Sequence, residues 1–122
     1  MPMSTTLTRE QIRVMPPGPA MDLLVSERVL GFAACEGAFS RLRPRYSSSI
    51  IMAWEVLQKV TCRKGWWFEI SSQDGMDSGD LFFVCVHRGP ETWWEAGSRH
   101  GDMKDSLPLA ICRACLLTIL ET

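Results

Sequence analysis

The chain has almost no net charge: 13 Lys and Arg stand against 14 Asp and Glu in 122 residues. That excludes the broad basic surface that grips a nucleic acid polymer, though not a local basic pocket. No run approaches the roughly 18 consecutive apolar residues of a membrane helix. Met1 to Arg13 has no signal-peptide core. Both absences point to a cytoplasmic protein away from membranes. Histidine is scarce: His87 and His100 are the only two, and they have no metal-ligand spacing. There is no G-x-S-x-G, phosphate-binding loop, G-x-G-x-x-G or H-E-x-x-H. Asp74, Asp77 and Asp80 lack the later glutamate of a calcium loop and read as a turn. The expectation is a protein without catalysis, metal or cofactor.

The cysteines Cys35, Cys62, Cys85, Cys112 and Cys115 are odd in number and scattered, which argues against a disulfide framework. Cys112 and Cys115 form a C-x-x-C inside an apolar run. No second pair completes a zinc tetrahedron, so they read as two buried thiols. Apolar residues reach 46%, enough for one packed domain of this length.

Residues 1–19 read as a flexible arm ended by the breaker cluster Met15-Pro16-Pro17-Gly18-Pro19. Residues 20–122 form the domain. A helix spans Ala20 to Phe32, with Met21, Leu24, Val25 and Val29 on one face. Ala33 to Tyr46 reads as a loop. A second helix runs from about Ser49 to Cys62, with a serine N-cap, an apolar face of Ile50, Ala53, Trp54, Leu57 and Val60, and Gly65 as a left-handed cap. The period then shortens to two. Trp66 to Ser71, Leu81 to Arg88 and Thr92 to Ala96 read as three strands of an antiparallel meander, joined by a long Asp-Gly turn and by Gly89-Pro90. The last helix opens at Leu107-Pro108, with proline in its first turn. It is apolar almost all round to Leu120, which predicts burial on most sides, part of it by another subunit. The fold class is α+β: a small α/β/α sandwich in the order α-α-β-β-β-α, with helices on both faces of the meander.

Three segments together carry a resemblance. They are Tyr46-Ser47-Ser48-Ser49-Ile50-Ile51-Met52-Ala53-Trp54-Glu55-Val56-Leu57-Gln58-Lys59, Pro108-Leu109-Ala110-Ile111-Cys112-Arg113-Ala114-Cys115-Leu116-Leu117, and Met21-Asp22 with Glu27-Arg28-Val29-Leu30-Gly31. In this order and spacing, from Met21 to Leu120, the chain resembles small phage and prophage proteins of the phage ABA sandwich domain family. The resemblance implies helices on both faces of a sheet and an accessory protein in the cytoplasm of an infected bacterial host. Small phage proteins of this general type include ones that sequester nucleotide signals of bacterial defence. That step is an analogy, since fold does not fix function.

The residues themselves offer three constellations. Arg41, Arg43 and Arg45 lead through Tyr46, Ser47, Ser48 and Ser49 into a helix N-terminus, where unpaired N–H groups and guanidinium groups suit phosphate. The bland alternative is a capped helix behind solvated arginines. In each of Trp66-Trp67 and Trp93-Trp94, one ring faces the core and the other needs a cover: a helix, a subunit or a flat ligand. Arg113, alone in charge along the last helix, needs a partner. Glu55, Glu69, a neighbouring subunit and a ligand phosphate are the choices.

The expected ligand-binding set is Arg43, Arg45, Tyr46, Ser47, Ser48, Trp67, Trp94, Arg99, His100 and Arg113. Its expected occupant is a small nucleotide-type ligand, cyclic ADP-ribose-like or a cyclic oligonucleotide, held by a homo-oligomer. The alternative is a protein–protein module with no small ligand, which binds a host protein through its apolar surfaces.

Overall fold

The helical period of 3.6 gives way to the strand period of 2 near Gly65, and the computed structural model of the protein changes element there. The structure describes residues 7–31, 45–72, 81–99 and 103–120. Four helices and three strands lie among them. Helix α1 is Arg9–Val14, α2 is Pro19–Leu24, α3 is Ile50–Thr61 and α4 is Met103–Leu120; β1 is Trp66–Ser72, β2 is Phe82–Arg88 and β3 is Thr92–Ser98. The strands pair antiparallel in the order β1-β2-β3. The α+β class and the meander are as expected, with one additional helix at the start.

That helix corrects the reading of a loose arm from Leu7 onward. Thr8 and Gln11 form a capping box: the Gln11 N–H donates to Thr8 Oγ1 at 3.1 Å, and the Thr8 N–H donates to Gln11 Oε1 at 2.8 Å. Ile12 is fully buried and anchors the turn in the core. Pro19 then takes the first position of α2, where its missing N–H is harmless. Helix α2 runs on into one π-helical turn, Val25–Val29, closed by the Leu30 N–H on the Val25 carbonyl at 3.0 Å.

Ser49 caps α3 as expected, accepting from the Met52 N–H. The buried face is Ala53, Val56, Leu57 and Val60. Ile50 and Trp54, expected inside, are exposed, because the stripe turns toward Val56. Trp54 meets Phe68 edge-to-face at 5.4 Å. Gly65 is left-handed (φ 88°), but the helix ends at Cys62, so Gly65 serves the turn into β1. Its carbonyl accepts from the N–H of Gly89 (φ 74°), which ties the two turns at one end of the sheet together.

Helix α4 is the hub of the core. Leu109, Ala110, Ile111, Cys112, Ala114, Cys115, Leu116, Leu117 and Thr118 are all buried within a single chain. It packs on α3, β2, β3, α1 and the π-helical turn. The cover expected from a second subunit is therefore supplied internally. Pro108 also differs from expectation. It lies inside the helix, which begins at Met103, and its ring removes the hydrogen bond to residue 104.

The helices pack on one face of the sheet, where Phe82, Val84, Val86, Trp94 and Ala96 are buried. On the opposite face Trp67 and Trp93 are 45% and 57% exposed. Among the described residues no helix covers that face. Among the described residues the layering is helix on sheet, with the α+β class and the strand order as expected.

Candidate functional site

Strand pairing decides which aromatic rings meet. Trp67 lies opposite His87, and His87 lies opposite Trp93, so all three point to the open face. Next along the strands come Glu69, Cys85 and Glu95, and then Ser71, Phe83 and Gly97. The face thus carries a row of rings beside a row of Glu, Cys and Glu. The Trp67 and His87 rings stack, with centroids 3.7 Å apart and planes 2° from parallel. Trp93 is tilted against His87 at 6.2 Å. His87 Nε2 stands 3.3 Å from Glu69 Oε2. Burial pushes the Cys85 thiol up to about 11, with the negative charges of Glu95 and Glu69 acting in the same direction.

The other tryptophan of each pair belongs to the helix-covered face. Trp66 and Trp94 stack there at 5.8 Å, 17° from parallel. The Arg63 guanidinium lies over Trp66 at 5.2 Å and that of Arg88 over Trp94 at 5.6 Å. Trp94 is buried and does not face a ligand, so its expected role is corrected. Trp93 is the ring the sequence reading missed. A three-residue turn, Gly89-Pro90-Glu91, puts Arg88 opposite Thr92 and hence His87 opposite Trp93. That turn length was the available signal.

The Arg/Ser segment is used largely for structure. Ser47 is fully buried: its N–H and its hydroxyl both donate to Asp22 Oδ1, at 2.8 and 2.7 Å. The Gly18 N–H donates back to Ser47 Oγ at 3.0 Å. This network ties the start of α2 to the turn before α3 and satisfies the buried Asp22. Tyr46 is also buried and bonds to Ser26; burial pushes its hydroxyl upward in pKa. Tyr46 and Ser47 are thus core and network residues, and neither presents its polar atoms to a ligand. Arg45 and Ser48 are exposed beside the α3 N-terminus. The N–H groups of Ser48 and Ser49 both donate to the Arg45 carbonyl. Arg43 and His100, with Arg41, lie outside the described residues.

Arg113 bonds to backbone. Its Nη1 donates to the Gly97 carbonyl at 2.8 Å, and its Nη2 and Nε donate to the Met15 carbonyl at 2.9 and 3.3 Å. It clamps the segment after α1 to β3, and Arg13 adds a bond to the Glu95 carbonyl at 3.3 Å. The expected carboxylates Glu55 and Glu69 are exposed elsewhere. Arg99 is exposed just past β3, at the end of the sheet away from the Trp row. The expected set is therefore dispersed: Arg45 and Ser48 at one helix start, Trp67 on the open face, Trp94 in the core, Arg113 in a clamp.

A concavity of about 170 Å³ lies at the C-terminal end of α3. Lys59, Arg63 and Trp66 line it with Val29 and Ile119. No family model, curated protein or solved structure matches the chain.

Proposed function

We propose that the chain is a binding domain that takes a basic protein segment on the open face of its sheet, with Trp67 and Trp93 as anchors. The observation that carries this reading is the pair of exposed indoles flanking His87 on a sheet face that no described helix covers. Covering what they still expose removes roughly 100 Å² or more of apolar surface apiece, about 2.5 kcal/mol each. That is the size of an interface anchor. Glu69 and Glu95 set the charge of the partner, because the residues that β1, β2 and β3 turn to that face include no Lys or Arg. Lysine and arginine meet both requirements, by ion pairing with the carboxylates and by cation–π contact with the indoles. A phosphate is repelled there. A second copy, docked face to face, sets carboxylates against carboxylates. If the chain is a phage accessory protein, as its resemblance implies, the partner is a host protein.

The test is chemical cross-linking in producing cells, comparing the natural chain with the Trp67→Ala, Trp93→Ala double variant. The expected result is a defined partner that dissociates with salt and is absent from the double variant. Retention of the same partner by a folded double variant overturns the reading.

A second reading has its own observation. Lys59 and Arg63 offer two cations in one concavity, which suits the phosphate of a nucleotide. A signal-sequestering role, with a homo-oligomer around it, belongs to that pocket. Native mass spectrometry of the protein from cells making a nucleotide defence signal tests it. An intact nucleotide lost in Lys59→Ala, Arg63→Ala supports it, and an empty protein counts against it.

A further inference from the structure

The open face carries more than aromatic anchors. Glu69, Cys85 and His87 offer three different donor atoms, all within 4.8 Å of one another. We propose that these residues form a site for a single zinc ion, with its fourth coordination position turned to solvent. The inference does not rest on the docking reading, and the ion takes the Glu69 carboxylate for itself, leaving Glu95 to pair with a basic partner.

The strand geometry explains why the three meet. Cys85 and His87 are two apart on β2, so both side chains emerge on one face, and Glu69 lies directly opposite Cys85 on β1. Zinc takes thiolate sulfur, imidazole nitrogen and carboxylate oxygen, with bonds of about 2.0–2.3 Å. In a tetrahedron with nitrogen and oxygen bonds of about 2.0 Å, those two donors stand about 3.3 Å apart. His87 Nε2 and Glu69 Oε2 are 3.3 Å apart. The sulfur must come from within 4.8 Å to about 3.5 Å of each of them, which takes a rotation of the Cys85 side chain toward the imidazole, with the exposed Glu69 side chain following.

The surroundings also fit. The parallel Trp67 ring holds the imidazole plane in place, as outer-shell partners do in metal sites. Glu95, opposite Cys85 on β3, adds a second negative charge beside the site. On binding, the thiol proton leaves to solvent and the sulfur enters as thiolate. Sequence spacing alone hides this set, because one ligand comes from another strand.

The chain is freed of metal with a chelator and titrated with Co²⁺ and with Zn²⁺. One Co²⁺ per chain, a tetrahedral visible spectrum and a near-ultraviolet thiolate-to-cobalt band are expected. Cys85→Ser removes the band, and Cys62→Ser leaves it intact. Glu69→Gln and His87→Gln each weaken Zn²⁺ binding by more than the roughly 10–100-fold typical of an outer-shell change. Glu69 is mostly exposed, so its variant folds even where the His87 variant does not. A natural chain without the thiolate band overturns the proposal. So does a band that survives Cys85→Ser, or Zn²⁺ affinity unmoved in Glu69→Gln.

Discussion

The two faces of one sheet each carry two tryptophans and put them to opposite ends. On the helix-covered side, Trp66 and Trp94 stack on each other beneath arginines, next to Val84, Val86 and Ala96. On the open side, Trp67 and Trp93 flank a histidine, next to Glu69, Cys85 and Glu95. Each pair of neighbouring tryptophans contributes one ring to each side. Composition is therefore silent about which side does what, and parity along the strand decides it.

The sharpest way to test this division is by stability. Leu117→Ala removes a fully buried side chain from α4 and should cost about 2–5 kcal/mol in urea unfolding. Trp93→Ala should stay within about 0.5 kcal/mol, as for a surface position. Equal losses would mean that the open face is also core. Next in size is Ser47→Ala. It leaves the buried Asp22 carboxylate short of a donor and should cost about 1–3 kcal/mol by the same measurement.

Titration should separate the buried thiols from the rest. Burial holds Cys115 up to about 12 against the ordinary 9.0, and it raises Cys112 well above the same value. Above pH 9 the unfolded chain gives up these protons while the folded chain keeps them. Stability therefore holds below pH 9 and declines as the pH rises toward 12, by up to about 1.4 kcal/mol per pH unit for each thiol. Replacing Cys112 and Cys115 by alanine should make that decline shallower, read as unfolding midpoints at several alkaline pH values, and leave the part due to Cys85 and Tyr46. The smallest effect expected is from Ile51→Lys on the exposed side of α3, within about 0.5 kcal/mol. A larger loss would show that α3 has a cover on that side.

The strands were legible because alternation survives without knowledge of neighbours: Phe82, Val84 and Val86 point inward as their spacing requires. Helix α3 was legible from its serine cap and apolar stripe. Helix α1 was hidden by the prolines that follow it, although Thr8 and Gln11 carry its signature. The site was harder to read. Its members come from three strands, and only register brings Glu69 to Cys85 or Trp93 to His87. Arg113 bonds to the carbonyl oxygens of Met15 and Gly97, which every residue possesses and no sequence distinguishes. Ser47 looked like a phosphate donor because its buried acceptor, Asp22, lies 25 residues earlier.

The two arginines of α1 and α4 that bond to β3 bear on what the molecule avoids. A border strand with free carbonyls is a template on which a strand from another molecule can add, and repeated addition leads to fibres. Here the oxygens of Glu95 and Gly97 are engaged by Arg13 and Arg113, each a long cationic side chain that an incoming strand would have to displace. Sheet growth on that border is thereby discouraged, and an incoming molecule is left to approach the flat of the sheet, where the indole rings stand.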